Sequence, residues 1–279
     1  MEGFKAQLRE LGYRDGKEVS YLFEGAAASI AELEPMAKRL LAEKPDLIFA
    51  STTLASKTAK RVMESARVPV VFAPVNDPVA AGIVSQIKRP GEHVTGVRLG
   101  NSDPKRLEWL VKVDPAAKRI LIPFNAKDSS ALTSLQRIRG VADQLGVLLV
   151  ERSVTRREQV TALINQPPEE IDAIFLPRDG LVMSRIKDFV KMATAHKLSL
   201  STPRYKQVEA GAVMGYGFTG YALGRQAARL ADQILRGAKP GDLPVETGED
   251  YLFINQRTAK EIGLKVPVEV LKSAYKVIE

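Results

Sequence analysis

The feature that most constrains this fold is a repeated alternation of short apolar runs with helix-period segments along the 279 residues. Two of the runs, Val68–Phe72 and Ile120–Ile122, consist almost entirely of Val, Ile, Leu and Phe. Such runs are typical of strands buried on both faces of a parallel sheet. The predicted strands are Glu18–Phe23, Asp46–Ala50, Val68–Ala73, Val94–Val97, Arg119–Phe124, Val147–Glu151, Ile171–Leu176, Leu198–Ser201 and Ala212–Tyr216.

The segments between these runs carry apolar residues at spacings of three and four, which is the period of an amphipathic helix. One stripe runs from Leu132 to Leu145 and ends at Gly146, a residue suited to the positive φ of a helix C-terminus. Another begins at Asp103-Pro104, where we expect Asp103 to be the N-cap. The alternation predicts an α/β fold with doubly wound, parallel sheets.

The predicted strands are too many for one such sheet, so we expect two, with a break near Gly96–Asn101. A doubly wound domain normally opens with a strand near the sheet centre. This chain instead opens with a helical pattern at Glu2–Leu11. We therefore expect the first strand of lobe one to be missing, because upstream sequence has been lost or because another segment fills the slot.

Composition and motifs argue against several classes of function. The chain has no cysteine, and its two histidines do not have the spacing of a metal site. It contains neither a G-x-S-x-G elbow nor a Walker A loop. The net charge of +8 is spread over basic residues that alternate with acidic ones, unlike the stripe of a nucleic-acid binder. We therefore predict no catalytic residues, no metal, no cofactor and no nucleic-acid partner.

One motif leaves a nucleotide-binding alternative open. Residues Gly215 to Gly220 match G-x-G-x-x-G between a predicted strand and a helix, with Glu246 downstream. Glycines so placed let the backbone approach a pyrophosphate at a helix N-terminus. The pattern also recurs by chance, and it lies late in the chain. A loop that crosses between two lobes is the simpler explanation.

Candidate ligand-binding residues follow the predicted strands, where α/β sheets bind their ligands. Hydroxyls at Ser51–Thr53 stand at a predicted helix start, which favours an anion such as a carboxylate. Asp179 is a candidate partner for an ammonium group. N-capping is the alternative for each polar candidate, and core packing for each aromatic one. The candidates are Ser51, Thr52, Thr53, Asn76, Asp77, Asn125, Ser129, Asp179, Tyr205, Tyr216 and Phe218.

An ordered series of short motifs extends along nearly the whole chain. In the first half the motifs are Lys44–Ile48, Pro69–Phe72, Asp77–Val79, Gly82–Val84, Arg89–Gly91 and Val94–Val97. In the second half they are Gly211–Val213, Tyr216-Gly217, Leu223–Gln226, Gly237–Pro240, Leu243–Val245 and Ile254-Asn255. In this order the motifs resemble those of the ABC transporter substrate-binding proteins, in particular binders of tryptophan and other aromatic amino acids.

The resemblance implies a type I periplasmic-binding architecture: two Rossmann-like lobes joined by three crossings, with a small-molecule ligand in the cleft between them. Lobe one would comprise residues 1–97 and 213–245, and lobe two residues 98–212 and 246–279. The family has no catalytic residues, and its role is to capture a solute and deliver it to an ABC permease in the membrane. Closure on the ligand would be a hinge motion about the crossings.

The resemblance also assigns roles to particular positions. Ser51–Thr53 matches a loop suited to a ligand carboxylate, and Asp179 matches the Asp of a Pro-x-Asp loop. In the family pattern Tyr-Gly-x-Asp-Tyr-Tyr an acidic residue would pair with an amino group, but this chain has Thr219 there. That departure leaves open an amino acid, a ligand without an ammonium group, or one that uses Asp179 alone.

The resemblance implies a periplasmic or lipid-anchored extracytoplasmic location, although residues 1–4 lead directly into a helix without an export signal. We expect either a processed or truncated form, or a protein that stays inside the cell. The alternative functions are a cytoplasmic ligand-sensing domain of the same fold and a nucleotide-dependent enzyme.

Overall fold

The computed structural model describes residues 1–23 and 25–279, which form two compact units. Unit 1 comprises residues 1–100 and 218–249, and unit 2 comprises residues 101–217 and 250–279. The chain therefore passes from one unit to the other at three places, after residues 100, 217 and 249.

Helices and strands alternate along the chain. The helices are α1 (Glu2–Glu10), α2 (Leu33–Ala42), α3 (Thr53–Met63), α4 (Ser102–Val113), α5 (Ser129–Leu145), α6 (Arg157–Asn165), α7 (Gly180–Met183), α8 (Ile186–Ala195), α9 (Tyr205–Glu209), α10 (Gly220–Leu235), α11 (Gln256–Glu261) and α12 (Val268–Ser273). The strands are β1 (Ile48–Ala50), β2 (Val70–Val75), β3 (Val94–Arg98), β4 (Arg119–Phe124), β5 (Leu148–Ser153), β6 (Ala173–Phe175), β7 (Ser199–Thr202), β8 (Met214–Gly217), β9 (Glu246–Thr247), β10 (Tyr251–Asn255) and β11 (Lys276–Ile278).

Unit 1 contains a parallel sheet in the order β1-β2-β3-β9. Successive side chains of β2 point to opposite faces, so that Phe72 joins a core with α3 while Val71 joins a core with α1 and α10. Helices thus cover both faces, which explains why β2 is apolar at almost every position.

Unit 2 contains a sheet in the order β11-β10-β8-β7-β6-β4-β5. Strands β4 to β8 are mutually parallel where they pair, and β10 runs antiparallel to β8. Ile120 and Ile122 pack with α4 and α5, whereas Leu121 packs with α6 and α8 on the other face. The predicted α/β class with parallel sheets is confirmed.

Two local predictions are wrong, and three strands were not predicted. Residues 18–23 form no strand, apart from an isolated bridge between Asp15 and Val19, because no neighbouring strand pairs with them. Asp103 is not an N-cap: it lies inside α4, where it pairs with the buried Arg106. The unpredicted strands are β9, β10 and β11.

Candidate functional site

In unit 1 the carboxyl ends of β1 and β2 lead into the loops that contain Ser51–Thr53 and Asn76-Asp77. Because β1 and β2 are parallel neighbours, both loops leave the same edge of the sheet. Ser51, Thr52, Asn76 and Asp77 are all exposed there. The topology therefore brings these sequence-predicted candidates to one edge of unit 1.

Thr52 has an unusual backbone at the N-terminus of α3. Its φ of 82° and ψ of 156° lie in a region that almost only glycine adopts. Thr52 is the N-cap, since its Oγ1 accepts a bond from the Ala55 amide at 3.5 Å. Its carbonyl oxygen accepts a bond from the Ser56 hydroxyl at 2.6 Å, which holds the turn. The strained turn directs exposed hydroxyls towards solvent beside the positive end of a helix.

Asp77 organises the turn that follows β2. Its Oδ1 accepts bonds from the amides of Val79, at 3.1 Å, and Ala80, at 2.9 Å. The turn does not continue into a helix. The structure thus gives Asp77 a turn-capping contact, with the neighbouring Asn76 exposed.

In unit 2 the carboxyl ends of β4 and β6 lie at one edge, and Asp179 connects their loops. Asp179 is buried; its Oδ1 accepts a bond from the Val182 amide at 2.9 Å, and its Oδ2 accepts one from the Asn125 amide. Both carboxylate oxygens are thus used within the protein. Asn125 in turn accepts a bond from the Lys127 amide at 3.0 Å. Ser129 is the first residue of α5, whose N-cap is Asp128, and its side chain is outside the described part of the structure.

Sequence reasoning missed a polar network beside this edge. The Arg178 guanidinium donates to the Ser102 hydroxyl, and Asp250 accepts a bond from the same serine. Asp250 comes just before β10, which runs antiparallel to β8, so it lies at the edge where β8 ends. Burial raises the pKa of the Asp250 carboxyl, and the nearby Arg178 charge opposes that rise. No motif marks Asp250, because only the pairing of β10 with β8 brings it to this edge.

A fully buried arginine lies behind this network. Arg106 donates to the Asp103 carboxylate at 3.0 Å and to the Leu176 carbonyl at 2.8 Å. Its guanidinium lies 3.7 Å from the centre of the Phe175 ring. Burial lowers the pKa of Arg106 to about 10, while Asp103 counteracts the shift. These contacts hold the carboxyl end of β6, which leads through Leu176 and Pro177 to Arg178.

The aromatic candidates and Thr219 are distributed over both units. In unit 2, Tyr216 is half-buried with its ring 6.5 Å from Trp109, and burial and then the Asp250 charge raise its pKa. Tyr205 packs against Phe253 at a ring distance of 4.9 Å. In unit 1, Phe218 packs against the core, and Thr219 caps α10 through a 3.0 Å bond from the Ala222 amide.

The glycine motif at residues 215–220 has a packing explanation. It does join β8 to α10, as the nucleotide pattern requires. However, a Cβ on Gly217 would stand 2.4 Å from the Pro203 carbonyl oxygen. Gly215 would similarly meet Val208 at 2.7 Å. These glycines are required where β8 passes close to its neighbours, which supports the crossing-loop interpretation.

The described residues also contain no group of three His, Cys, Asp or Glu side chains arranged to hold a metal ion. Of the two histidines, His93 is buried and its Nε2 lies 3.1 Å from the Lys60 carbonyl oxygen. Within residues 1–23 and 25–279, no helix has both the length and the apolarity needed to cross a lipid bilayer.

Comparison with known proteins places this geometry in a family. The chain is 28% identical over 265 residues to a tyrosine-binding protein of Clostridioides difficile, covering 95% of this chain and 76% of that protein. It is similar to a ligand-free, open structure of a substrate binding protein with adhesive properties from Clostridium difficile, with a TM-score of 0.86 and 28% identity over 99% of this chain and 92% of that one.

A second similar structure is an ABC domain in complex with L-Trp from Streptococcus pneumoniae, with a TM-score of 0.78 and 27% identity over 99% of this chain and 93% of that one. Type I periplasmic binding proteins with lower identity share the fold, which confirms the predicted type I periplasmic-binding fold class. The sequence model for ABC transporter substrate binding proteins matches residues 1–278. The chain belongs to the ABC transporter substrate binding protein family.

Proposed function

We propose that this protein is the solute-binding component of an ABC-type importer and that it captures a small carboxylate-bearing molecule, such as an amino acid. Family membership supports this role, and similar proteins are described as binding tyrosine and L-tryptophan. In this proposal the protein acts outside the cytoplasm, in the periplasm or on a lipid anchor, and delivers its ligand to a membrane permease.

The Thr52 turn is the observation that best supports a carboxylate-bearing ligand. Exposed hydroxyls and the N-terminal amides of α3 suit a carboxylate, because unpaired N–H groups and the helix dipole favour negative charge there. A β-branched residue in a glycine-only backbone region is costly, and such strain concentrates at binding sites. Ser51, Thr52 and Thr53 therefore remain the proposed carboxylate contacts.

In unit 2 we assign recognition to Arg178 and Asp250 instead of Asp179. Asp179 already accepts bonds on both oxygens, which leaves it little capacity for a ligand ammonium group. Arg178 offers a planar guanidinium suited to an anionic group, and Ser102 positions it. Asp250 supplies the acidic partner for an ammonium group that Thr219 does not provide.

Calorimetric titration with matched ligand pairs tests this proposal. The pairs are L-tyrosine with 3-(4-hydroxyphenyl)propanoate and L-tryptophan with indole-3-propanoate, which differ only in the ammonium group. We expect binding within this panel, and Arg178→Ala should weaken it about tenfold or more, as the loss of a charge-assisted hydrogen bond does. Arg137→Ala, on the exposed face of α5, should leave the affinity unchanged.

The ligand class and the roles of Arg178 and Asp250 can be contradicted separately. If no member of the panel binds to folded protein, the carboxylate ligand class is wrong. If Asp250→Asn weakens the amino acids and their deaminated analogues equally, Asp250 is not the ammonium partner. If Arg137→Ala weakens binding as much as Arg178→Ala, the specific role of Arg178 is wrong.

A further inference from the structure

The polar network of unit 2 brings two arginines and two aspartates close together. Arg106 and Asp103 form a buried ion pair at 3.0 Å, three residues apart on α4. Arg178 donates to the Ser102 hydroxyl, and Asp250 accepts a bond from it. Ser102 directly precedes Asp103 in the first turn of α4, so both acidic groups lie near both arginines. Two positive and two negative charges thus share this network, and they could be paired in more than one way.

Asp103 is the group whose pairing decides the arrangement. It is only 3% exposed, and a buried carboxylate without a cation beside it is strongly unfavourable. Arg106 reaches Asp103 from within the unit, whereas Arg178 lies one residue away along α4, at Ser102. While Arg106 neutralises Asp103, no buried charge draws Arg178 away from Ser102.

Arg106 is held in place by protein groups alone. Its side chain is fully buried, and its Nη1 donates to the Leu176 carbonyl oxygen at 2.8 Å. Its guanidinium also lies 3.7 Å from the centre of the Phe175 ring. Strand β6 ends at Phe175, so this strand and α4 together determine where the charge of Arg106 stands.

The backbone on both sides of Arg178 is also held. Arg106 binds the Leu176 carbonyl oxygen on one side. On the other side the Asp179 amide donates to the Pro177 carbonyl oxygen at 2.9 Å, and the Asp179 carboxylate is buried. A change of partner by Arg178 is therefore a rotation of its side chain within a fixed loop.

The ion pair of Arg106 and Asp103 is not an efficient stabiliser of unit 2. The Nε of Arg106 is buried without a hydrogen-bond partner among the described residues. Burial also lowers the pKa of Arg106 to about 10. Buried ion pairs often contribute little, because the desolvation of both charges offsets their attraction. Replacing both partners together should therefore be tolerated far better than replacing one.

We propose that Arg106 is a positioning residue for the solute site: by neutralising Asp103, it keeps the Arg178 guanidinium at Ser102, where it can bind an anionic group of the solute. Without Arg106, the side chain of Arg178 turns to Asp103 and is withdrawn from the solute. This inference rests on the proposed role of Arg178 in binding, but the exchange of partners can be tested without a ligand.

A crystal structure of ligand-free Arg106→Met tests the exchange of partners, because methionine is a long side chain without charge. We expect the Arg178 guanidinium at about 2.7–3.2 Å from an Asp103 oxygen, with its bond to Ser102 lost. In Arg106→Met/Asp103→Ala, Arg178 should return to Ser102. If Arg178 remained at Ser102 in folded Arg106→Met, the proposal would be wrong.

Calorimetric titration with L-tyrosine and 3-(4-hydroxyphenyl)propanoate tests the consequence for binding. Arg106→Met should weaken both ligands about tenfold or more, as Arg178→Ala does. Arg106→Lys keeps a charge beside Asp103 and should bind within about threefold of the unmodified chain. Arg106→Met/Asp103→Ala should do the same. Arg106→Met/Arg178→Ala should bind no more weakly than Arg178→Ala, because the effect of Arg106 passes through Arg178.

Arg185→Met is the matched control. Arg185 and Asp188 are another arginine–aspartate pair three residues apart in unit 2, at the start of α8. Their pair lies outside the network around Ser102, so the affinity should not change.

Two results of the titrations would overturn the proposal. If folded Arg106→Met/Asp103→Ala bound about tenfold more weakly than the unmodified chain, Arg106 would not act through Asp103. This result does not require that Arg106→Met itself folds. If the losses in Arg106→Met/Arg178→Ala were additive, Arg106 would not act through Arg178. If the unmodified chain bound neither ligand, the proposed function would fail, and the position of Arg178 in the crystal structures would still decide whether Arg106 positions it.

Discussion

Thr52 is both a proposed carboxylate contact and a residue with a strained backbone conformation. A threonine at φ 82° and ψ 156° is in a conformation that costs about 1–3 kcal/mol. Glycine would remove that cost, although it adds about 0.5–1 kcal/mol of unfolded-chain entropy and loses a few tenths of a kcal/mol of capping. Backbone strain of this kind concentrates at binding sites, in agreement with the proposed contact between Thr52 and a ligand.

Thr52→Gly should therefore raise the free energy of unfolding, by up to about 2 kcal/mol, and weaken carboxylate binding. Urea denaturation and calorimetric titration measure the two effects. Ser51→Gly is the control for the stability measurement: Ser51 is not among the residues with positive φ, so glycine there should lower the free energy of unfolding. A Thr52→Gly protein less stable than Ser51→Gly would show that the turn is not strained.

Asp250 should make stability depend on pH in a defined direction. Its pKa is raised from the ordinary value of 3.8, so the folded state binds the proton more tightly than the unfolded state. The stability that it contributes is complete below the unfolded pKa and is lost as pH rises through the folded pKa. Asp250→Asn should therefore gain stability relative to the unmodified chain between about pH 3 and pH 7.

Asp188 is the control, because it should make stability depend on pH in the opposite direction. Its pKa is lowered by the hydrogen bond from Arg185, so its contribution is present above the unfolded pKa and is lost as pH falls. Asp188→Asn should lose stability relative to the unmodified chain over the same interval, measured by urea denaturation at each pH. If both variants changed stability in the same direction, the causes assigned to the two pKa shifts would be contradicted.

Helix α10 is capped by Thr219, which also stands where the family pattern has an acidic residue. Thr219→Ala should cost about 1 kcal/mol, because the Ala222 amide loses its acceptor. Thr219→Asp should keep the cap and add about 0.3–1 kcal/mol from a charge at the helix N-terminus. Thermal unfolding measures these changes.

Thr219→Asp also restores an acidic residue of the family pattern, so it should favour amino acids over their deaminated analogues in the calorimetric panel. Thr219→Asn caps equally well without the charge and should not change that preference. If Asn and Asp shifted the preference equally, the charge at this position would be irrelevant to the ligand.

Whether an element could be predicted from the sequence depended on whether its signal was local. Gly146 ends α5 with a φ of 65°, as its position after an apolar stripe predicted. The continuous apolar run at Ile120–Ile122 likewise forms the interior of β4. By contrast, β9 has two residues, and only its pairing with β3 makes it a strand. Residues 18–23 have the composition of a strand, but no neighbouring strand pairs with them and they form none.

The same distinction separates the candidate residues. Ser51–Thr53 followed a recognisable strand and stands at a helix start, as the sequence indicated. Arg106 could not be identified in advance, since a charged residue is rarely fully buried and nothing local shows that Asp103 and Leu176 will satisfy it. Asp250 depended on the antiparallel return of β10, which no local periodicity specifies.

For the whole molecule, the net charge of +8 should accelerate the association of anions. The association rate of 3-(4-hydroxyphenyl)propanoate should fall several-fold as salt shortens the Debye length from about 30 Å at 0.01 M to about 8 Å at 0.15 M. Zwitterionic L-tyrosine has no net charge and should change little. Stopped-flow fluorescence of Trp109 measures both rates, and an equal fall for the two would contradict long-range steering.

The packing of α1 against α10 also determines when unit 1 can be completed during synthesis. Gly3 lies so close to this partner that a Cβ would stand 2.0 Å from the Tyr221 carbonyl oxygen. At about 5–20 residues per second, the ribosome needs about 10–40 s to reach α10 after making α1. Throughout that interval Phe4 and Leu8 lack the helix that buries them. The apolar face of α1 therefore stays without its partner helix until α10 has been made, so unit 1 cannot form its complete core while the chain is still being synthesised.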